Sequence, residues 1–221
     1  LFLMEPMSIL FLVLRAQIVR VIVGAGAFDW TATLLAADTL AFFALTFIPQ
    51  ALVYVFARAF FAMHDTVTPL TAGIVSAVIG IISAFLFTKT FGVIGLGAAY
   101  ALSVTINAIL LWVHLRQKLD SLFELQIVYS IFKIATASII AAVVMQSVKP
   151  IVVNYFSLDT FFGVLTQGLI SGGLGLCAYV AVSSILKSEE LNTFISSITR
   201  KQLKKVKQQE SISTGDGSGS A

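Results

Sequence analysis

Apolar residues in this chain fall in long continuous runs rather than in strict alternation or narrow stripes. The first runs from Leu1 to about Val23, interrupted by Arg15, Gln17 and Arg20. The second runs from Trp30 to about Met63 and the third from Leu70 to Phe87. Three more follow: Val93 to about His114, Leu125 to Val148, and Phe161 to Leu186. A transmembrane helix needs about 20 predominantly apolar residues, so each run predicts one span. The polar breaks carry the chemistry of helix ends. Gly24-Ala25-Gly26 closes the first run, and Asp29 suits the N-cap of the second. The second run is too long for one perpendicular span, so it is expected to tilt, kink or protrude. Pro49 is the expected kink, because it removes a backbone donor. His64-Asp65-Thr66-Val67-Thr68-Pro69 predicts a turn in which Thr68 caps a helix and Pro69 takes its first position. Thr88 to Gly92 predicts a tight link, and Lys149-Pro150 a stop to the fifth span. Gly168, Gly172, Gly173 and Gly175 offer the sixth span a close-packing face.

After Lys187 the pattern changes. Leu191, Phe194, Ile195, Ile198, Leu203 and Val206 recur at roughly helical spacing, interleaved with Arg200, Lys201, Lys204 and Lys205. Residues 188–207 therefore predict an amphipathic helix on the headgroups, the alternative being a solvated helical tail. The Gly/Ser-rich residues 208–221 predict a disordered tail. The fold class expected is an all-α membrane protein with about six transmembrane helices and a C-terminal amphipathic helix.

Composition agrees. Of 221 residues, 58% are hydrophobic and 11% charged, with mean hydropathy +0.97. A soluble domain carries roughly 25% charged residues, so lipid is the solvent this surface suits. The net charge of +3 is concentrated near the C-terminus, which points to a membrane surface and away from nucleic acid. The single cysteine, Cys177, excludes a disulfide framework within one chain. Lys and Arg placement favours a cytoplasmic C-terminus, leaving Lys89 and Lys149 on the other side. The start at Leu1, without Met or signal-peptide features, leads us to expect that an upstream half is missing.

No enzyme signature is present: no paired carboxylates, no nucleophile with a histidine partner, no phosphate-cradling loop. The informative residues are the charges inside apolar runs, each costing on the order of 2.5–3.5 kcal/mol at a helix centre unless partnered or wetted. Arg15 and Arg20 either line a cationic site for an anionic headgroup, or snorkel, or pair with Asp38. Lys133 either snorkels to the interface or lines a groove. His64 and His114 stand at helix ends, where a proton relay is the less favoured reading.

Two stretches carry a family resemblance. Gln17 to Asp29 (QIVRVIVGAGAFD) and Ala51 to Pro69 (ALVYVFARAFFAMHDTVTP) resemble signature segments of the MurJ/MviN lipid II flippases, and Leu102 to Arg116 is similar to that family's twelfth helix. The resemblance covers residues 1 to about 205, weakly after Lys118. It implies helices nine to fourteen of a fourteen-helix flippase. Residues 1–118 would be four spans of the C-terminal transport lobe, and 125–187 two further helices forming a groove for the lipid tail. It implies a bacterial cytoplasmic-membrane protein that moves lipid II, the undecaprenyl-pyrophosphate-linked peptidoglycan precursor, and works with the missing N-terminal half. The candidate substrate-binding residues are Arg15 and Arg20, charges read from the first apolar run, Arg58 inside the second matching stretch, and Lys133, which stands where the family has Arg; at Arg15-Ala16 the chain departs from the family, which often has Pro there. Pro49, Asp65 and Pro69 are the structural or hinge positions. No cofactor is implied. Coupling to the membrane potential or to an ion stays open, but sodium is not expected, because Leu70 to Phe87 has Ser76 and Ser83 and neither Asp nor Asn. The alternatives are another lipid-linked oligosaccharide or drug exporter of the same superfamily, and a non-transporting membrane scaffold.

Overall fold

The computed structural model describes residues 2–23, 30–119, 124–153 and 161–186. The Gly24-Ala25-Gly26 and Asp29 positions, the 188–207 helix and the 208–221 tail lie outside the described residues. The described residues form α1 (Met4–Val13), α2 (Arg15–Val23), α3 (Trp30–Leu45), α4 (Phe47–Ala62), α5 (Val67–Phe91), α6 (Val93–Lys118), α7 (Glu124–Val153) and α8 (Phe161–Ile185). Among the described residues five helices are long and apolar enough to cross a membrane, with α3 and α4 together making one. The count is six if the α1–α2 pair, bent by 72°, is one broken span. The chain is thus an all-helical, multi-pass membrane protein.

Several boundaries differ from the sequence expectations. The first span is interrupted at Leu14. The long second run breaks at Thr46, three residues before Pro49. The ring of Pro49 excludes the carbonyl four residues back, at Leu45, and its nitrogen offers that carbonyl no proton. Thr46 absorbs the break: its N–H and its hydroxyl both donate to the Phe43 carbonyl, at 3.0 and 2.7 Å, and α4 restarts with Gln50 N–H on the Thr46 carbonyl at 2.8 Å.

The His64–Pro69 turn is capped differently from expectation. Met63 ends α4 and His64 adopts the left-handed conformation, φ +57°. This lets His64 N–H reach the Phe61 carbonyl and Asp65 N–H reach the Phe60 carbonyl, both at 3.0 Å, satisfying the last turn of α4. The cap of α5 is Asp65 and not Thr68: its Oδ1 accepts from the N–H groups of Val67 (3.1 Å) and Thr68 (3.0 Å). Val67 is the first residue of α5, so Thr68 already lies inside the helix and its own N–H is one of the orphan donors that Asp65 satisfies. Pro69 sits third in the helix, still in the turn whose N–H groups have no partner inside the helix.

Residues 88–91 are helical, so Gly92 alone links α5 to α6, with φ +61° and ψ −137°. Gly95 lies so close against the Phe87 backbone that a Cβ there would collide with it. Nor does Pro150 end α7, which continues to Val153. In hydrocarbon, unwinding would strand more backbone groups than the proline does.

Helices α5 and α6, and α7 and α8, pack as antiparallel pairs, with α3 and α4 also against α6. Ser103 of α6 donates to the Ser76 carbonyl of α5 at 2.7 Å, and Gly80 leaves room for it. Phe60, Ala72, Leu111 and Leu115 form one buried cluster, and Ala137, Ala141 and Tyr179 another. The Tyr179 hydroxyl donates to the Phe2 carbonyl at 2.8 Å, tying α8 to the start of α1. Val67, Leu70, Ile74, Ile81 and Phe85 form an exposed apolar row on α5. Lipid, not water, suits such a face.

Candidate functional site

The interruption of the first span organises the polar groups of one end of the bundle. Where α1 stops, its last carbonyls lose their intrahelical donors. The Lys149 ammonium of α7 donates to one of them, the Val13 carbonyl. The Lys149 carbonyl, just before Pro150, in turn accepts from Gln167 Nε2 of α8 at 3.2 Å. Gln17 Nε2 of α2 donates to Gln167 Oε1 at 3.3 Å. Gln167 is 3% exposed, while Gln17 and Lys149 are half-buried, so the relay is partly buried between helices.

Arg15 opens α2 beside this relay, and its guanidinium pairs with the Asp38 carboxylate of α3 at 3.3 Å. The pair is open on one side, with side-chain exposures of 42% and 46%. Lys149 bonds the Val13 carbonyl, two residues before Arg15, which places the two cations near each other at the break. Ser8 and the Ala44 carbonyl, 2.7 Å apart, fix α1 against α3 farther along.

The other predicted binding residues are not gathered here. Arg20 is in the last turn of α2, five residues from Arg15, which places the two about 140° apart around the helix axis. Arg58 is exposed near the end of α4. Positions 38 and 58 are 20 residues apart, roughly 30 Å along the α3–α4 direction. Lys133, half-buried, lies 16 residues before Lys149, roughly 24 Å along α7. Arg15 and Arg20 therefore lie toward one end of the bundle and Arg58 and Lys133 toward the other, the last two on helices, α4 and α7, that do not touch each other among the described residues.

Beside the break lies an apolar groove of about 440 Å³ between α1–α2 and α8. Leu10, Leu14, Gln17 and Val21 line one wall, and Gly168, Leu169, Gly172 and Gly173 the other. Glycines create it: Gly172 brings α8 within reach of Leu14, and Gly173 faces open space. The α7–α8 contact is closely packed, with Gly175 against Met145. The groove in this structure is bounded by α8 and the first, broken span.

At the opposite end, Asp65 makes a clamp. Its Oδ2 accepts from the Thr68 hydroxyl at 2.6 Å and pairs with the Lys118 ammonium, which also lies 5.5 Å over the Phe60 ring. Lys118 and Thr68 hold the Asp65 carboxyl well below the usual carboxylate range. The clamp joins the end of α4, the start of α5 and the end of α6.

Sequence reasoning missed Lys149, Gln167 and Lys118 as working residues. The lysines read as interface charges. The one usable signal was Gln17 and Gln167, amides in apolar runs that need partners.

A solved structure of the lipid II flippase MurJ, in an inward closed conformation, is similar in fold, with a TM-score of 0.66 at 22% sequence identity. The match covers 86% of this chain and 37% of that one, so the chain spans well under half of that structure's length. No curated protein matches the sequence. The family model described as lipid II flippase MurJ matches residues 1–166, most of the chain, and the chain therefore belongs to the MurJ lipid II flippase family.

Proposed function

We propose that this chain is part of a lipid II flippase that moves undecaprenyl-pyrophosphate-linked peptidoglycan precursor across the bacterial cytoplasmic membrane, with its C-terminus cytoplasmic. Members of this family are transporters and not enzymes, and the task needs no bond chemistry. The physical problem is an anionic headgroup that hydrocarbon excludes, attached to a tail that hydrocarbon accepts. The observation that carries the reading is the juxtaposition, in a chain of this family, of an apolar groove with intramembrane cations at the broken helix, the helix lying inside the family-matched residues 1–166. The tail lies along the groove between α1–α2 and α8. The pyrophosphate meets Arg58 and Lys133 on the cytoplasmic side and Arg15 and Arg20 on the outer side. The rest of the protein completes the cavity, and rocking of its two halves changes which side the cavity faces. The reading includes no cofactor and no sodium.

The test is transport by the full-length protein in liposomes, with lipid II supplied to one leaflet and detected in the other. Arg15→Ala and Arg20→Ala are expected to lower the rate at least tenfold at unchanged protein insertion. Wild-type rates in both variants would remove these residues from the site. Wild-type protein with no lipid II translocation would remove the function.

A further inference from the structure

The Arg15–Asp38 pair sits where the proposed substrate's anionic group must bind, and it is the resting partner of that arginine. Among the side chains described, the acidic ones are Glu5, Asp38 and Asp65; Asp65 is spent on Lys118 and the α5 cap, about 27 residues and some 40 Å of helix away from Asp38. Lys149, the other cation near Arg15, is spent on the Val13 carbonyl. Asp38 is thus the carboxylate that neutralises Arg15 when nothing else does.

We infer that Asp38 is a resident counter-ion: it holds Arg15 in the empty protein, is displaced by the substrate's pyrophosphate, and reclaims the guanidinium as the substrate leaves. This rests on the flippase reading above. Three observations carry it. First, the pair is loose: Arg15 Nη2 lies 3.3 Å from Asp38 Oδ1, longer than the roughly 2.7–2.9 Å of a tight charge-assisted hydrogen bond. Second, both side chains are more than two-fifths exposed, so an incoming anion reaches Arg15 without unpacking a helix. Third, the partners come from separate helices, α2 and α3, so exchange leaves each helix intact. An unpaired arginine in an apolar span is costly, and a permanently loaded one would trap its cargo. A weak internal anion removes the first difficulty and drives release in the second. Asp38 acts through Arg15, so it is a positioning residue and need not touch the substrate.

The experiment is a double-mutant cycle on the full-length protein in micelles, with undecaprenyl pyrophosphate as the probe and the neutral polyprenol as control. Asp38→Asn is expected to bind the pyrophosphate about two- to fivefold tighter, the size of a half-exposed ion pair, and to release it more slowly. In an Arg15→Ala background the same substitution is expected to change nothing. Asp38→Glu is expected to restore wild-type binding, and polyprenol affinity to stay constant throughout. Unchanged or weaker binding in Asp38→Asn, or an equal gain without Arg15, overturns the inference while leaving the flippase reading standing. Wild-type protein that does not prefer the pyrophosphate to the polyprenol overturns both. If Asp38→Asn fails to fold, Asp38→Ser carries the same arm, and loss of folding in both assigns Asp38 to structure and overturns the inference.

Discussion

Replacing Lys149 with Met removes the donor that meets the Val13 carbonyl while keeping an unbranched side chain of similar length. A hydrogen bond from a charged donor is worth about 1.5–3 kcal/mol, and the carbonyl it leaves must find another partner. In hydrocarbon the available partner is an N–H four residues on, at Gln17, which requires α1 and α2 to straighten. The geometry makes this measurable. Met4 and Ile22 are both exposed, 46% and 74%, and can carry spin labels. A continuous helix puts these positions about 27 Å apart, whereas the observed 72° bend at Leu14 brings them to about 22 Å. The lost bond corresponds to roughly a 10- to 100-fold shift between the two arrangements. Pulsed dipolar spectroscopy on the full-length protein should show the distribution moving toward the longer distance in Lys149→Met and staying at the shorter one in Lys149→Arg. An unmoved distribution in Lys149→Met would refute the reasoning and assign the bend to packing of α1 and α2 against α3 and α8.

Three further outcomes follow from the same geometry. His64→Gly should stabilise the protein by about 0.5–1 kcal/mol, because glycine adopts the left-handed conformation without the Cβ clash that His64 bears, a gain partly offset by glycine's greater freedom in the unfolded chain; thermal unfolding in detergent reads this, and a fall in Tm would refute it. Asp65 has its carboxyl lowered from an ordinary value of 3.8, so its contribution to stability is complete above that value and is lost as pH falls below it. The Tm gap between wild type and Asp65→Asn should therefore be constant above about pH 5 and shrink in stronger acid. Gly173→Leu adds a side chain into open space, while Gly172→Leu drives one into Leu14, whose Cδ1 lies 3.1 Å from a Cβ built at Gly172. The first should keep wild-type Tm and lose lipid-tail crosslinking in the groove; the second should also lower Tm, and equal crosslinking in all three proteins would sink the groove assignment.

The spans were legible because hydrocarbon demands about 20 apolar residues and little else produces such runs. What happens inside them was less so. Nothing in Leu10 to Leu14 announces a break: the nearest proline, Pro6, is eight residues earlier, and the stretch is uniformly apolar. Lys149-Pro150 read as a stop, yet α7 passes through it, because the deciding partners, Val13 and Gln167, are 136 and 18 residues away in sequence. Thr68 and Asp65 are both good caps by residue type, and only the left-handed turn at His64 decides between them by starting α5 at Val67. The Arg15–Asp38 pair was one of several open readings, since spacing alone does not say which helices are neighbours. The glycines of α8 announced close packing but not which neighbour they would approach.

The two ends of the bundle differ in how their backbone groups are satisfied, and this locates its motion. At the Asp65 end the helix ends are closed by local bonds, two from the turn at His64 and two from the cap, and these cannot exchange partners without unfolding the turn. At Leu14 a freed carbonyl is met by a side chain from another helix, and the adjacent guanidinium by a carboxylate from a third. Side chains can exchange partners with the helices intact. In hydrocarbon a bend is favoured where a donor meets the carbonyl it exposes. Lys149 of α7 meets the carbonyl at the bend and Asp38 of α3 meets Arg15 beside it, so a movement of α7 relative to α3 is expected to be felt at the bend and at Arg15 together.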